Sequence, residues 1–168
     1  IQSSDKRWMI VYNGEIYNYK KLKRLLPNNK DFTGDTSVLV SLIEKFGFYE
    51  TIKMIEGMFS IAAWDTKQKK LYLVRDRLGE KPLYYSITNK HFIFGSNINS
   101  IVKFPDNKLT ISQRSINSYL KLNYIPTPYS IYENVKKLTP GHFLEYDLNQ
   151  KNFNIHKYWT LNQNLEKF

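Results

Sequence analysis

The residues best suited to chemistry stand in two short runs. Asn13, Gly14 and Glu15 lie inside VYNGEIYNY, and Asp35 lies in Thr33-Gly34-Asp35-Thr36. A carboxamide beside an unobstructed glycine N–H gives two donors, which can stabilise an oxygen that gains negative charge. A carboxylate directly behind them suits a ligand ammonium. The same residues also have a plainer use. Asn and Gly tolerate left-handed backbone angles, so the tripeptide reads equally as a turn between two elements. Asp35 reads equally as the N-cap of the helix that follows it.

Other candidates are weaker. Arg75-Asp76-Arg77-Leu78-Gly79-Glu80-Lys81 is dense in charge. It reads as a solvated turn with internal ion pairs, feeding the strand that begins near Pro82. A phosphate loop would need more glycine and a following helix, and neither is present. His91, His142 and His156 lack metal-ligand spacing, so no metal site is expected. No Gly-x-Ser-x-Gly elbow occurs. The chain has 0 cysteines, so it holds no disulfide and no thiol nucleophile of its own.

The elements that must position these residues follow from periodicity. Residues 7–12 form a β-branched and aromatic strand. A helix over 19–26 starts at Asn18 as cap and stops at Pro27. A second helix, 36–46, puts Val38, Leu39, Leu42, Ile43 and Phe46 on one face and ends at Gly47. A short helical piece covers 49–55. Strands at 57–65 and 70–75 make one hairpin, and 82–87 with 91–96 make another around Thr88-Asn89-Lys90. Short helices are expected at 97–104 and 112–122, the second capped by Ser112. Strands follow at 142–147 and 154–159. The order is that of a layered α+β domain, not of alternating β and α units.

Composition sets the outer limits. The chain has 168 residues, 42% of them hydrophobic and 15% aromatic, enough for a globular core. The net charge is +10, but the lysines are scattered in pairs such as Lys20-Lys21 and Lys69-Lys70. No nucleic-acid module accompanies them, so no nucleic-acid partner is expected. No apolar stretch reaches membrane-spanning length, which excludes a membrane partner of that kind. A soluble, cytoplasmic protein is expected. The chain opens almost at once on a strand without Met, which reads as a truncated N-terminus. Residues 161–168 read as the start of a linker.

Taken in order, VYNGEIYNY, the Asp35-Thr36 loop, GMFSIAAWD, VRDRLGEKPLYY, FIFGSNINSI, YIPTPYSIY, KKLTPGH and Tyr158-Trp159 resemble the class II (N-terminal nucleophile) glutamine amidotransferases. The nearest resemblance is to the glutaminase domain of glutamine-hydrolysing asparagine synthetases. It implies an Ntn-hydrolase-like four-layer αββα sandwich of two antiparallel sheets, here lacking the first strands. Residues 1–160 would be a partial glutaminase domain. It implies that glutamine is hydrolysed to glutamate and ammonia through an N-terminal cysteine thiol, and that the ammonia amidates aspartate in a C-terminal synthetase domain. Asn13 and Gly14 would be the oxyanion-hole donors, and Glu15 and Asp35 the carboxylates that bind the α-amino end of glutamine. No cofactor is implied in this domain; ATP and Mg would belong to the absent synthetase domain.

The departures matter. The nucleophilic cysteine is missing, so these residues alone are expected to be inactive. Ser37 and Asn97 stand where the family usually has Glu. The acceptor could be another carboxylate, such as a surface-sugar acid, and a non-catalytic glutamine-binding module is the other reading. Strands lost upstream would leave a sheet edge unpaired, prone to aggregate or to pair two copies as a homodimer.

Overall fold

The computed structural model describes residues 1–27, 32–88, 90–105 and 108–161. In chain order the elements are β1 (Trp8–Ile16), α1 (Tyr19–Lys23), α2 (Asp35–Phe46), α3 (Phe48–Met54), β2 (Gly57–Asp65), β3 (Lys70–Arg75), β4 (Tyr84–Ile87), β5 (Phe92–Gly95), α4 (Ile98–Val102), α5 (Gln113–Leu122), β6 (Val135–Lys137), β7 (His142–Asp147) and β8 (Asn152–Lys157). They form two compact units: Ile1–Lys81 with the chain from Pro140 onward, and Pro82–Thr139.

The first unit holds a five-stranded antiparallel sheet in the order β1-β2-β3-β7-β8. One face packs on α2 and α3. Val38, Leu39, Leu42 and Ile43 of α2, with Phe48 and Ile52 of α3, join Trp8, Ile10, Ile16, Phe59 and Ile61 of the sheet. The helical spacing read from the sequence is therefore the core-facing stripe. Alternation along β1 buries Trp8 and Ile10 and leaves Met9 52% and Val11 68% exposed on the other side. Gly47 ends α2 in positive φ (+80°), its N–H donating to Ile43 at 2.9 Å.

The antiparallel pair β1 and β2 is fixed at one end by charge. Arg7 donates from Nε and Nη2 to Asp65, the shorter contact 2.6 Å, and the Lys67 and Gln68 amides donate to the same carboxylate. Burial pushes Asp65 up, but these donors outweigh it and hold the carboxyl below the usual range. Asp35 and Glu145 are lowered in the same way, burial again opposed by hydrogen bonds. Depressed carboxyls contribute stability that is complete above about pH 4 and is lost as pH falls through their folded values. Thermal melts between about pH 6 and pH 2 should show a steep loss in this acid range. Asp65→Asn should flatten that loss, and an unchanged acid profile in the variant would count against the assignment.

The second unit holds a three-stranded antiparallel sheet in the order β5-β4-β6. Ile93, Ile101 and Val135 form its buried cluster. Ser112 caps α5 by accepting from the Ser115 amide, as expected, and Asn97 caps α4 at 2.9 Å from Asn99 N. Periodicity does not predict strand β6. It has three residues, too short for alternation to show, and exists because Val135–Lys137 pairs with Tyr84–Ser86 of β4. Asn89 of the expected 88–90 turn and residues 162–168 of the expected linker lie outside the described residues.

Three expectations about this unit's first elements fail. Asn13-Gly14 makes no turn: β1 runs straight through it to Ile16, in unbroken register with β2. The helix expected over 19–26 is regular only to Lys23, and Leu25 and Leu26 continue it with tight i to i−3 bonds. Asn18 does not cap that helix. Its side chain reaches across the chain, donating to the Met54 carbonyl and accepting from the Glu56 amide. No helix among the described residues is long and apolar enough to cross a membrane.

Candidate functional site

Strand β1 carries three of the residues singled out from the sequence, and its ladder sets where each one points. The register pairs Asn13 with Ser60, Gly14 with Phe59 and Glu15 with Met58. Side chains alternate across the sheet, so Asn13 and Glu15 share the exposed face with Met9 and Val11. Tyr12, Gly14 and Ile16 lie on the helix-packed side.

Gly14 has no freedom to be another residue. Its φ is +148°, and a Cβ built on it would lie 2.1 Å from the Met58 carbonyl oxygen. Gly57 shows the same geometry two pairs further on, at φ +152° and 2.1 Å from the Glu15 oxygen. The two backbones approach closely at this crossing, and only a pair of glycines allows it.

Backbone donors on the outer edge of β1 follow from the ladder as well. The Ile10 N–H donates to the Ile1 carbonyl at 2.8 Å, and the Ile16 N–H donates to Asp35 Oδ2 at 3.0 Å. Both point away from β2. In an antiparallel ladder alternate residues turn their N–H groups the same way, so the amides of Tyr12 and Gly14 face that edge too. β1 is the terminal strand of its sheet; on this edge an isolated bridge, Gln2 with Met9, lies further back.

Asp35 is brought to this edge from α2. It does not cap the helix as one sequence reading allowed. The helix starts at Asp35, and Ser37 does the capping: its hydroxyl oxygen accepts from the Gly34 amide at 3.3 Å. Asp35 Oδ2 instead accepts from the Tyr12 hydroxyl at 2.6 Å and from the Ile16 amide. Burial raises the Asp35 carboxyl, but the donors Tyr12, Ile16 and Thr36 bring it below the ordinary value, so it is ionised at neutral pH. Tyr12 moves the opposite way. Burial, the bond to Asp35, and the fields of Asp35 and Glu15 push its hydroxyl far up, keeping it a donor. Tyr17, next along the chain, is raised by some loss of hydration and then by Glu80, Glu15 and Asp76. The surroundings of β1 are thus rich in carboxylate.

The 75–81 loop, read from its charges as solvated and ion-paired, is organised differently. Asp76 is fully buried. Its oxygens accept from the amides of Leu78, Gly79, Glu80 and Lys81, and from Phe59 of β2 at 3.3 Å. Its own N–H donates to the Phe59 carbonyl at 2.9 Å. Phe59 is the residue paired with Gly14, so the loop backs the strand crossing. Sequence reasoning missed both Tyr12 and Asp76. The only signal for Asp76 was an Asp three residues before a Gly, a pattern common to loops that wrap a carboxylate. Nothing in the spacing linked Tyr12 to Asp35.

The structure therefore joins Tyr12, Ile16 and Asp35 by direct bonds and sets Gly14 between them on the same edge. Asn13 and Glu15 project from the adjoining face. Among the described residues no group of three or more His, Asp or Glu is placed to hold a metal ion. The arrangement has neutral donors for an oxyanion and carboxylates for a cation.

A family model described as a glutamine amidotransferase domain matches residues 1–159. The putative glutamine-hydrolysing asparagine synthetase 2 of Methanocaldococcus jannaschii is 39% identical over 155 residues, covering 91% of this chain and 30% of that protein. The glutamine-hydrolysing asparagine synthetase 2 of Bacillus subtilis is 37% identical over 166 residues, covering 95% of this chain and 22% of its own length. The chain thus spans 22% to 30% of these relatives. Among solved structures, the glutamine phosphoribosylpyrophosphate amidotransferase of B. subtilis superposes with a TM-score of 0.63 at 16% identity, covering 95% of this chain and 31% of that one. A glutamine aminotransferase class-II domain protein of Silicibacter pomeroyi gives 0.55 at 13%, covering 92% and 69%. These likenesses give the fold: α+β, with antiparallel sheets and helices, of the Ntn type.

Proposed function

Because the chain belongs to the glutamine amidotransferase domain family, we propose that it forms the glutamine site of an enzyme that hydrolyses glutamine to glutamate and ammonia. In this reading the side-chain amide of glutamine lies against the outer edge of β1. A thiolate attacks the amide carbon, and the carbonyl π pair moves onto oxygen. The Gly14 N–H and the Asn13 carboxamide stabilise that oxyanion. As it collapses the C–N bond breaks, the nitrogen takes the proton that the thiol had given up and leaves as ammonia, and water hydrolyses the remaining γ-glutamyl thioester to glutamate. Glu15 and Asp35 bind the α-ammonium. The chain has 0 cysteines, so the thiol comes from outside these 168 residues.

The observation that carries the reading is the register of β1. It turns the Gly14 amide to an open edge beside the ionised Asp35, while Asn13 and Glu15 project from the next face. The names of the relatives support the finer reading that the ammonia is used to make asparagine; ATP and Mg would then be bound by a synthetase domain beyond this chain. Such a reaction suits the cytoplasm, where ATP is supplied.

Asn13→Ala tests the oxyanion role in the full-length encoded protein. Asn13 is exposed, so the fold should survive. Ammonia release from glutamine should fall by about a hundredfold or more, chiefly in kcat. A wild-type rate would refute the role. Asparagine formed from aspartate and ATP, against other carboxylates offered in parallel, decides the acceptor.

A further inference from the structure

We propose that Tyr12 is a positioning residue for substrate recognition: its hydroxyl clamps Oδ2 of Asp35 against β1, so that Oδ1 is presented to the α-ammonium of the bound amino acid. The inference rests on the glutamine reading above and names a residue that neither the sequence motif nor its spacing brought forward.

The geometry is specific. A carboxylate oxygen offers about two acceptor sites. Oδ2 of Asp35 uses both, one for the Tyr12 hydroxyl at 2.6 Å and one for the Ile16 amide at 3.0 Å. Among the described residues, Oδ1 takes a looser 3.3 Å contact from the Thr36 hydroxyl, and the Thr36 amide also bears on the carboxylate. Among the described residues the carboxylate is therefore held firmly at Oδ2 and more loosely at Oδ1. Its two clamps come from the same strand, two residues either side of Gly14. Tyr12 thus ties the group that would hold the ammonium to the strand that carries the oxyanion donors. Glutamine's two ends are separated by a fixed chain, so a set distance between these groups favours one pose. The tyrosine ring packs on the core of the first unit, which fixes where the hydroxyl stands. The hydroxyl itself adds nothing to that packing; its partner is Asp35.

A purely structural tyrosine would behave differently, and this is testable. The full-length encoded protein is assayed for ammonia release from L-glutamine and from 4-carbamoylbutanoate, the same amide without the α-amino group. Tyr12→Phe keeps the ring and removes the clamp. Its KM for glutamine should rise about tenfold, the scale of a hydrogen bond to a charged group, with kcat at saturation within about twofold. Its kcat/KM for 4-carbamoylbutanoate should not change. Equal loss toward both substrates, or loss in kcat alone, overturns the inference. Asp35→Asn gives an arm that does not depend on how Tyr12→Phe folds: it should remove the preference for glutamine, and Tyr12→Phe added to it should cost nothing further. Full additivity, or a preference retained in Asp35→Asn, also overturns it. No ammonia from glutamine in the wild type overturns the glutamine reading itself, a result distinct from any of these.

Discussion

Gly14→Ala is expected to abolish both the fold of the first unit and any activity of the site. The added methyl would sit 2.1 Å from the Met58 oxygen and 2.7 Å from the Phe59 Cα. Both are backbone atoms of the paired strand, so no side-chain rotation relieves the contact. The φ of +148° adds strain for any residue with a Cβ. Strand β1 would have to leave its register with β2, and every even residue on it would lose its place against the core. A cost of about 4 kcal/mol or more is expected, a large share of a normal domain's stability. Melting by circular dichroism should lose cooperativity or drop by more than about 10 °C. Gly34→Ala is the control. Gly34 sits in extended backbone at φ −177°, and a Cβ there meets nothing within 4 Å. It should melt like the wild type. A Gly14→Ala protein with wild-type melting would disprove the close crossing of β1 and β2.

Asp76→Ala should be nearly as damaging, for an electrostatic reason. The buried carboxylate gathers the amides of residues 78–81 and of Phe59 around its two oxygens. Alanine removes every one of those acceptors at once. A stranded donor costs about 1–3 kcal/mol when it stays buried. Leu78 and Glu80 are exposed, so water rescues some of the loop. The Phe59 amide, inside β2, has no such recourse. A loss of about 4 kcal/mol is expected. Because Phe59 opposes Gly14, the damage should reach the site: glutamine turnover in the full-length protein should fall along with the melting temperature. Asp76→Asn keeps one acceptor oxygen and should fall between wild type and alanine. An alanine variant with unchanged stability would show that the loop amides find other partners.

Part of this architecture is legible in the order of residues alone. The apolar stripe of α2 and the hairpin of β2 and β3 appear where periodicity puts them. So do the cap at Ser112 and the glycine stop at Gly47. The motif set points to the right family. The candidate residues Asn13, Gly14, Glu15 and Asp35 stand out by type, because a carboxamide, a glycine amide and carboxylates form a recognisable set of donors and acceptors.

What the sequence determined by itself is what local chemistry determines: which stretches alternate, which spiral, where a helix starts and stops, and which side chains have polar groups to offer. The tertiary structure decided how those groups are used. Asn-Gly is a turn by local preference, yet here it is mid-strand. Gly14 lies opposite Phe59, and a ladder from Trp8 to Ile16 outweighs the turn preference of two residues. Asp35 is a cap by local preference, yet Tyr12, 23 positions away, takes its oxygen. Asp76 stands among charges that suggest a solvated turn, and is the buried centre of its loop. In each case the deciding partner is remote in the chain. Spacing records only neighbours, and strand register makes partners of residues that no spacing relates.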